Sequence, residues 1–365
     1  MERLIYMHEA DIICQASKQA SKQASKQAKY KEIIISRLMG IGDLIMLTPL
    51  LQGVKNLYPN TKLIVVTEKH TLPLTTRMPF IDEAYAFTKK ISTELSFIKC
   101  FWHKDMVYCV DTSYRVSAIY ALAMIKERIG FPHKRGVYLT KKLRYESWMD
   151  KSYEPYVHAM LFKQATGIDI TILDNWGTFY YPEATDEEKE NVKNNFIQAG
   201  GSFEEKYIAC SLESDTWQKD WPIEKWLELF KHCQKYGLKF VVLGVQSKRL
   251  NNVVFPDNVV DMRGKTSLIE MGYLVMKADL LIAVCSLFVH VAYAMHTPVI
   301  GIYGPQPVWR GAPPNIFAAI CSEAECAPCD MLIKGNGHCE KPYCMDSITV
   351  DKVEKEILRF YEIEK

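Results

Sequence analysis

Short β-branched apolar runs alternate along the chain with longer stretches whose apolar residues recur at helical spacing. Glu32–Ser36 reads EIIIS, a run of the kind buried on both faces in a parallel sheet. The glycine-containing turn RLMGIGD follows. Next comes LIMLTPLLQGVKNLYP, with apolar positions spaced as in a helix and a proline at its end. Leu63–Thr67 and Met106–Asp111 predict further strands, and a helix is expected from about Ser113 to Arg128. The polar stretch from about Pro182 to Phe203 predicts a charged helix near a domain junction. A second series begins after it. Its expected strands are Tyr207–Ser211, Lys239–Gly244, Leu280–Val284 and Val299–Tyr303. Its expected helices are Ile223–Lys235, Ser267–Lys277, Leu287–Met295 and Val350–Tyr361.

Strands that alternate with helices build a parallel sheet covered on both faces. Two such series predict an α/β chain of two Rossmann-like, doubly wound parallel-sheet domains facing a central cleft, where sheets of this kind bind ligands. The expected boundaries are 31–185 for the first domain, 186–349 for the second and 350–365 for a C-terminal helix. Upstream, residues 15–28 repeat as QASKQASKQASKQA, with no apolar stripe to pack. Residues 1–30 are therefore expected to form a low-complexity, flexible and solvated extension.

Composition narrows the classes. The 365 residues are 48% hydrophobic and carry 45 Lys+Arg against 43 Asp+Glu, a formal charge of +2. A sizeable core can be buried, and a near-neutral balance argues against a dedicated nucleic-acid binder. No run of about 18 apolar residues is present, so no transmembrane helix is expected. Met1–Cys14 contains acids and a histidine and does not read as a signal peptide. These features predict a cytoplasmic protein with at most peripheral membrane contact.

Three segments carry chemistry. The first is Arg37-Leu-Met-Gly-Ile-Gly-Asp43, between a strand and a helix. Gly40 and Gly42 allow a tight turn, and Asp43 falls at the helix N-terminus, where it is either a cap or a functional carboxylate. The second is Ser211-Leu-Glu-Ser-Asp-Thr-Trp-Gln-Lys219-Asp-Trp221-Pro222. There Lys219 can meet a phosphate coming over the sheet edge or stand as a solvated loop lysine. The third is Cys285-Ser-Leu-Phe-Val-His290, then a strand ending in Gly304-Pro305. Free N–H groups around Ser286 and Leu287 make an anion site. His290 lies one turn on, within reach of a bound diphosphate or satisfied in the core. Asp111, Thr112 and Arg115 follow a strand of the first half.

Eleven cysteines are present, and five crowd together as Cys321, Cys326, Cys329, Cys339 and Cys344. Two cysteines separated by two residues form a metal-binding knuckle. Cys326, Cys329, Cys339 and Cys344 are the expected ligands of a structural zinc or iron, with Gly335 and Gly337 allowing tight loops between them. Cys321 is the spare. The alternatives are unlinked reduced thiols or one opportunistic disulfide.

Together the three segments resemble glycosyltransferase family 9, the ADP-heptose–lipopolysaccharide heptosyltransferase family. The resemblance rests on Arg-x-x-x-x-Gly-Asp-x-x-x-x-x-Pro in the first half and Lys-x-Trp-Pro in the second. Ser286, His290, Pro298, Gly304 and Pro305 also match. It implies a GT-B enzyme that inverts the anomeric centre and needs no catalytic cofactor. Its donor would be an ADP-sugar, and its acceptor a lipopolysaccharide core or other surface glycan, glycolipid or protein. Carried over, Asp43 is the general base. Lys219, Ser286, Leu287, His290 and Gly304 take the donor diphosphate, while Gly42, Asp111 and Arg115 lie on the acceptor side. Cys285 stands where the family has Asp and Leu287 where it has Gly. Gly244–Lys248 lacks the acid expected for nucleoside recognition. The competing readings are transfer to protein side chains, a degenerate nucleotide-sugar-binding protein without turnover, and a sugar-nucleotide epimerase or hydrolase.

Overall fold

In a computed structural model of the protein, residues 29–111, 113–314, 316–329 and 339–364 are described. The repeat at 15–28, Thr112, Gly335 and Gly337 lie outside them. The chain divides into two compact units, one ending at Phe179 and the other beginning at Tyr180.

The first unit holds a six-stranded sheet ordered β3-β2-β1-β4-β5-β6. Its strands are β1 (Glu32–Ser36), β2 (Lys62–Glu68), β3 (Glu83–Phe87), β4 (Met106–Cys109), β5 (Glu127–Gly130) and β6 (Lys141–Lys142). All neighbours pair parallel. The second unit repeats the plan with the order β12-β11-β10-β7-β8-β9. Its strands are β7 (Ile208–Ser211), β8 (Phe240–Leu243), β9 (Val259–Asp261), β10 (Leu280–Val284), β11 (Val299–Tyr303) and β12 (Ala318–Cys321). Counted from each unit's own first strand, both orders are 3-2-1-4-5-6, that of doubly wound nucleotide-binding sheets. The order reverses between β1 and β4 in one sheet and between β7 and β10 in the other. Those four strands are buried along almost their whole length, as a central parallel strand requires.

Local chemistry accounts for the elements that differ from expectation. The helix expected over 113–128 ends at Leu122. Ser113 caps its start by accepting from Val116 N–H, but Met124 takes a φ of 54°, a left-handed conformation that stops the helix. The chain then turns into β5. Outermost strands β3, β6, β9 and β12 escape the sequence pattern because each sits at a sheet edge. An edge strand needs no unbroken apolar run, and β3, β6 and β9 have polar or charged residues within or at their ends. The helix Ile41–Leu57 tolerates Pro49 because the carbonyl of Ile45, deprived of its i+4 partner, accepts from Thr48 Oγ1 at 2.6 Å.

The unit boundary precedes the expected junction at 185 because Tyr181 already belongs to the second core. Its hydroxyl donates to Leu268 O, and its ring lies where a Cβ on Gly272 would stand, 2.3 Å away. The C-terminal helix, Val350–Phe360, is likewise part of the second unit. Val353 and Ile357 are fully buried in that core, and Trp221 Nε1 donates to Ile348 O at 3.0 Å.

Candidate active site

Ligands of doubly wound sheets bind beyond the carboxyl ends of the strands where the order reverses. In the first unit the loops after β1 and β4 occupy that place. Asp43 sits in the first turn of Ile41–Leu57, which starts from the β1 loop. Its Oδ2 accepts from Gly40 N–H at 3.1 Å and its Oδ1 from Arg37 Nη2 at 2.8 Å. The cap reading of this residue is therefore correct as far as it goes. The side chain is still 24% exposed, enough to meet a solute. Gly40 has a φ of −61°, so left-handed freedom is not why glycine stands there. A Cβ would press within 3.3 Å of Asp43 Oδ2. Gly42 lies in the same first turn.

Arg37 is buried, and the same Nη2 atom also reaches Glu154 Oε1 at 3.1 Å. Glu154 opens the helix Glu154–Thr166, and His158 stands one turn along with Nε2 at 3.4 Å from Glu154. Burial opposes the charge on Arg37, but Asp43 and Glu154 outweigh it and its pKa is raised. Burial pushes the His158 pKa down, leaving a neutral imidazole at neutral pH. Sequence reasoning missed Glu154 and His158. They lie more than a hundred residues from Asp43 in a helix with no motif of its own.

Asp111, expected on the acceptor side, is held inside the loop after β4. It is buried, its Oδ2 accepts from Ser36 Oγ at 2.9 Å and its Oδ1 from Ser113 N–H at 2.8 Å. The fully buried Arg135 lies 3.8 Å away. Burial raises its pKa, and these partners oppose the rise. It is a post that fixes the β4 loop. Arg115 sits on an exposed face, paired with Glu94 and donating to Lys89 O. Between these loops a cavity of about 650 Å³ is lined by Leu38, Glu68, Lys69, His70, Lys89 and Ser113. Three of those side chains are basic, and Leu38 belongs to the Asp43 loop.

At the second unit's reversal, Lys219 ends a short 3-10 turn in the loop after β7. Among the described residues its ammonium enters no ion pair. Beside it, Asp220 accepts from Ser214 N–H at 2.7 Å and pairs with Arg249. Burial lifts its pKa to about 6 despite that pair. From the same loop Glu213 accepts from Ser247 Oγ at 2.6 and 2.7 Å and pairs with Arg249 at 2.9 Å. A carboxylate thus stands against the β8 loop, although that loop's own Gly244–Lys248 has none.

Ser286 is the N-cap of the helix Leu287–Ala294, but its side chain does not cap. Its Oγ is buried with no hydrogen-bond partner among the described residues. The first-turn N–H groups are left for another acceptor. Leu287 is half-buried at the first helical position and His290 is buried one turn on. Gly304, after β11, packs against the Cys-rich segment: a Cβ there would lie 2.4 Å from Met345 Sδ and 3.0 Å from Cys344 Sγ.

Cys344 is buried, and burial, reinforced by the neighbouring thiols of Cys326, Cys329 and Cys339, pushes it up to about 11. Those three thiols thus lie near enough to Cys344 to act on its charge. Among the described residues no three His, Cys, Asp or Glu side chains stand close enough together to hold a metal. Cys321 is exposed at the end of β12.

Comparison with known proteins agrees with this layout. The lipopolysaccharide core heptosyltransferase OpsX of Haemophilus influenzae is 25% identical over 315 residues, covering 81% of this chain and 85% of that protein. The crystal structure of a family 9 glycosyltransferase from Veillonella parvula superposes with a TM-score of 0.75 at 19% identity, covering 92% of this chain and 98% of that one. ADP-heptose lipopolysaccharide heptosyltransferase II of Escherichia coli gives 0.69 at 20% identity, over 90% and 98%. These likenesses give the chain the GT-B fold. The model of glycosyltransferase family 9 (heptosyltransferase) matches residues 95–335, a span that includes Lys219, Ser286, His290 and Gly304, and the chain is a glycosyltransferase of that family.

Proposed function

We propose that the protein transfers a heptose from ADP-heptose onto a lipopolysaccharide core acceptor, with inversion at C1. The carrying observation is Asp43: a carboxylate fixed through both oxygens, yet open to solute, at the strand-order reversal of the first sheet. A fixed carboxylate beside a sugar hydroxyl is a general base. The hydroxyl oxygen forms a bond to C1 as the C1–O bond to the diphosphate breaks. Its proton passes to Asp43, and ADP leaves with the bonding electron pair. Lys219, the N–H groups at Ser286 and Leu287, and His290 meet the charge that develops on the diphosphate. Gly304 keeps the loop after β11 close to them. The basic lining of the first unit's cavity suits an acceptor bearing acidic groups.

Two subsidiary readings belong to the same proposal. The chain works in the cytoplasm with peripheral membrane contact; among the described residues no helix is long and apolar enough to cross a membrane. Cys326, Cys329, Cys339 and Cys344 hold one zinc or iron, which staples their loop and takes no part in transfer. Four thiolates fit such an ion and close its shell. The spacing of the four cysteines and the influence of the other three thiols on Cys344 support the assignment, while among the described residues no three of these side chains stand close enough to hold an ion.

Asp43→Asn tests the central claim. Transfer of heptose to a deacylated core acceptor should fall by about a thousandfold, the middle of the range a general base contributes. ADP affinity should stay within twofold. Near-normal transfer by this variant removes Asp43 as the base.

A further inference from the structure

Arg37 beside Asp43 poses a chemical problem. The Arg37 guanidinium holds the Asp43 carboxylate at 2.8 Å, so a proton arriving on Asp43 must break that ion pair. When Asp43 takes up a proton, a buried cation loses its counter-charge, and a buried unpaired charge is strongly unfavourable. Arg37 is 5% exposed and its Nε already lacks a hydrogen-bond partner among the described residues. The answer lies on the same nitrogen. Nη2 holds Asp43 on one side and Glu154 at 3.1 Å on the other.

We propose that Glu154 is a positioning residue that sets the basicity of Asp43 through Arg37. This rests on the reading of Asp43 as the base. With both carboxylates ionised the trio carries one net negative charge, room for one proton. When Asp43 accepts it, Arg37 remains paired with Glu154 and no charge is stranded. Glu154 is fixed for the task as the first residue of its helix, where the helix dipole favours a carboxylate. His158, neutral at its flank, fills the remaining side 3.4 Å away without adding charge. The other groups that act on Arg37 are Asp111, from the β4 loop, and the Tyr108 phenol of β4, which burial keeps protonated.

The test is the pH profile of kcat/KM, whose acid limb reports the base in the free enzyme. Glu154→Gln leaves Asp43 alone with Arg37, so the limb should move to lower pH by roughly one unit, and the plateau should fall about tenfold as the base weakens. Arg37→Gln leaves Asp43 facing Glu154, and the limb should move up by a comparable amount. Glu154→Asp should restore much of the wild-type profile. ADP affinity should be unchanged throughout. The opposite signs of the two shifts separate charge tuning from a packing role, which would lower the rate with the limb in place. A stationary limb in both variants overturns the proposal, and Arg37→Gln alone decides it should Glu154→Gln fail to fold. Asp43→Asn, assayed in parallel, tells the two failures apart. If it abolishes transfer while the limb stays put in the other variants, only the role of Glu154 falls. If it transfers normally, both fall.

Discussion

Single side chains in this protein rarely serve one purpose. Asp43 caps a helix and stands open to solute. Asp111 was expected at the acceptor and is instead consumed by the β4 loop. Lys219 is the converse, a lysine at the right sheet edge with no ionic partner among the described residues. If it and His290 meet the donor diphosphate, Lys219→Ala and His290→Ala should each weaken ADP binding about tenfold, since a hydrogen bond to a charged group is worth about 1.5–3 kcal/mol. Calorimetric titration with ADP reads this directly. Unchanged affinity in both variants would remove the diphosphate site from this end of the sheet. The candidate residues that the sequence offers lie in short contiguous motifs: Asp43 beside its glycines, Lys219 before its Trp-Pro, Ser286 and His290 at their spacing. Glu154 is not among them, because the fold alone brings it to Arg37.

Elements explain which parts of the fold the pattern revealed. Central strands such as β1, β10 and β11 coincide with their apolar runs, because burial on both faces demands such runs. Edge strands face no such demand and carry little signal. β3, EAYAF, has one fully buried residue. The helix after β4 ends earlier than its apolar spacing predicts, because nothing in Ala-Met-Ile-Lys announces that Met124 turns left-handed. Between elements, Gly304 shows how tightly the segment carrying Cys344 is seated. Gly304→Ala would drive a methyl into Met345 and Cys344, and overpacking of this kind costs about 1–3 kcal/mol. A thermal melt should show the loss as several degrees; an unshifted melt would mean that the Tyr343–Asp346 turn can slide away.

The molecule as a whole repeats one sheet plan, each half with its own strand-order reversal and its own set of chemical groups. That duplication was readable from the rhythm of the sequence, since two βαβ series in tandem admit few other architectures. Metal content is a property to be read at this scale. Elemental analysis of the purified chain should find close to one zinc or iron, and the Cys326→Ser/Cys329→Ser double variant should lose it while transfer activity survives in the protein that stays folded. A chain free of both metals would leave the four cysteines as reduced thiols.

The strap formed by residues 343–360 also bears on how the protein is made. Every strand of the first unit has emerged before residue 180 is joined, so that unit can close its core during synthesis. The second cannot. Ile348 receives the Trp221 indole, Lys225 donates to Asp346 O and Ile348 O, and Val353 and Ile357 fill the space beneath. Until residues near 360 clear the ribosome, an indole and an apolar sheet face wait uncovered. The nascent chain therefore passes through a stage with one finished half and one half that needs shelter, and a stall or truncation in its last turns would leave it there.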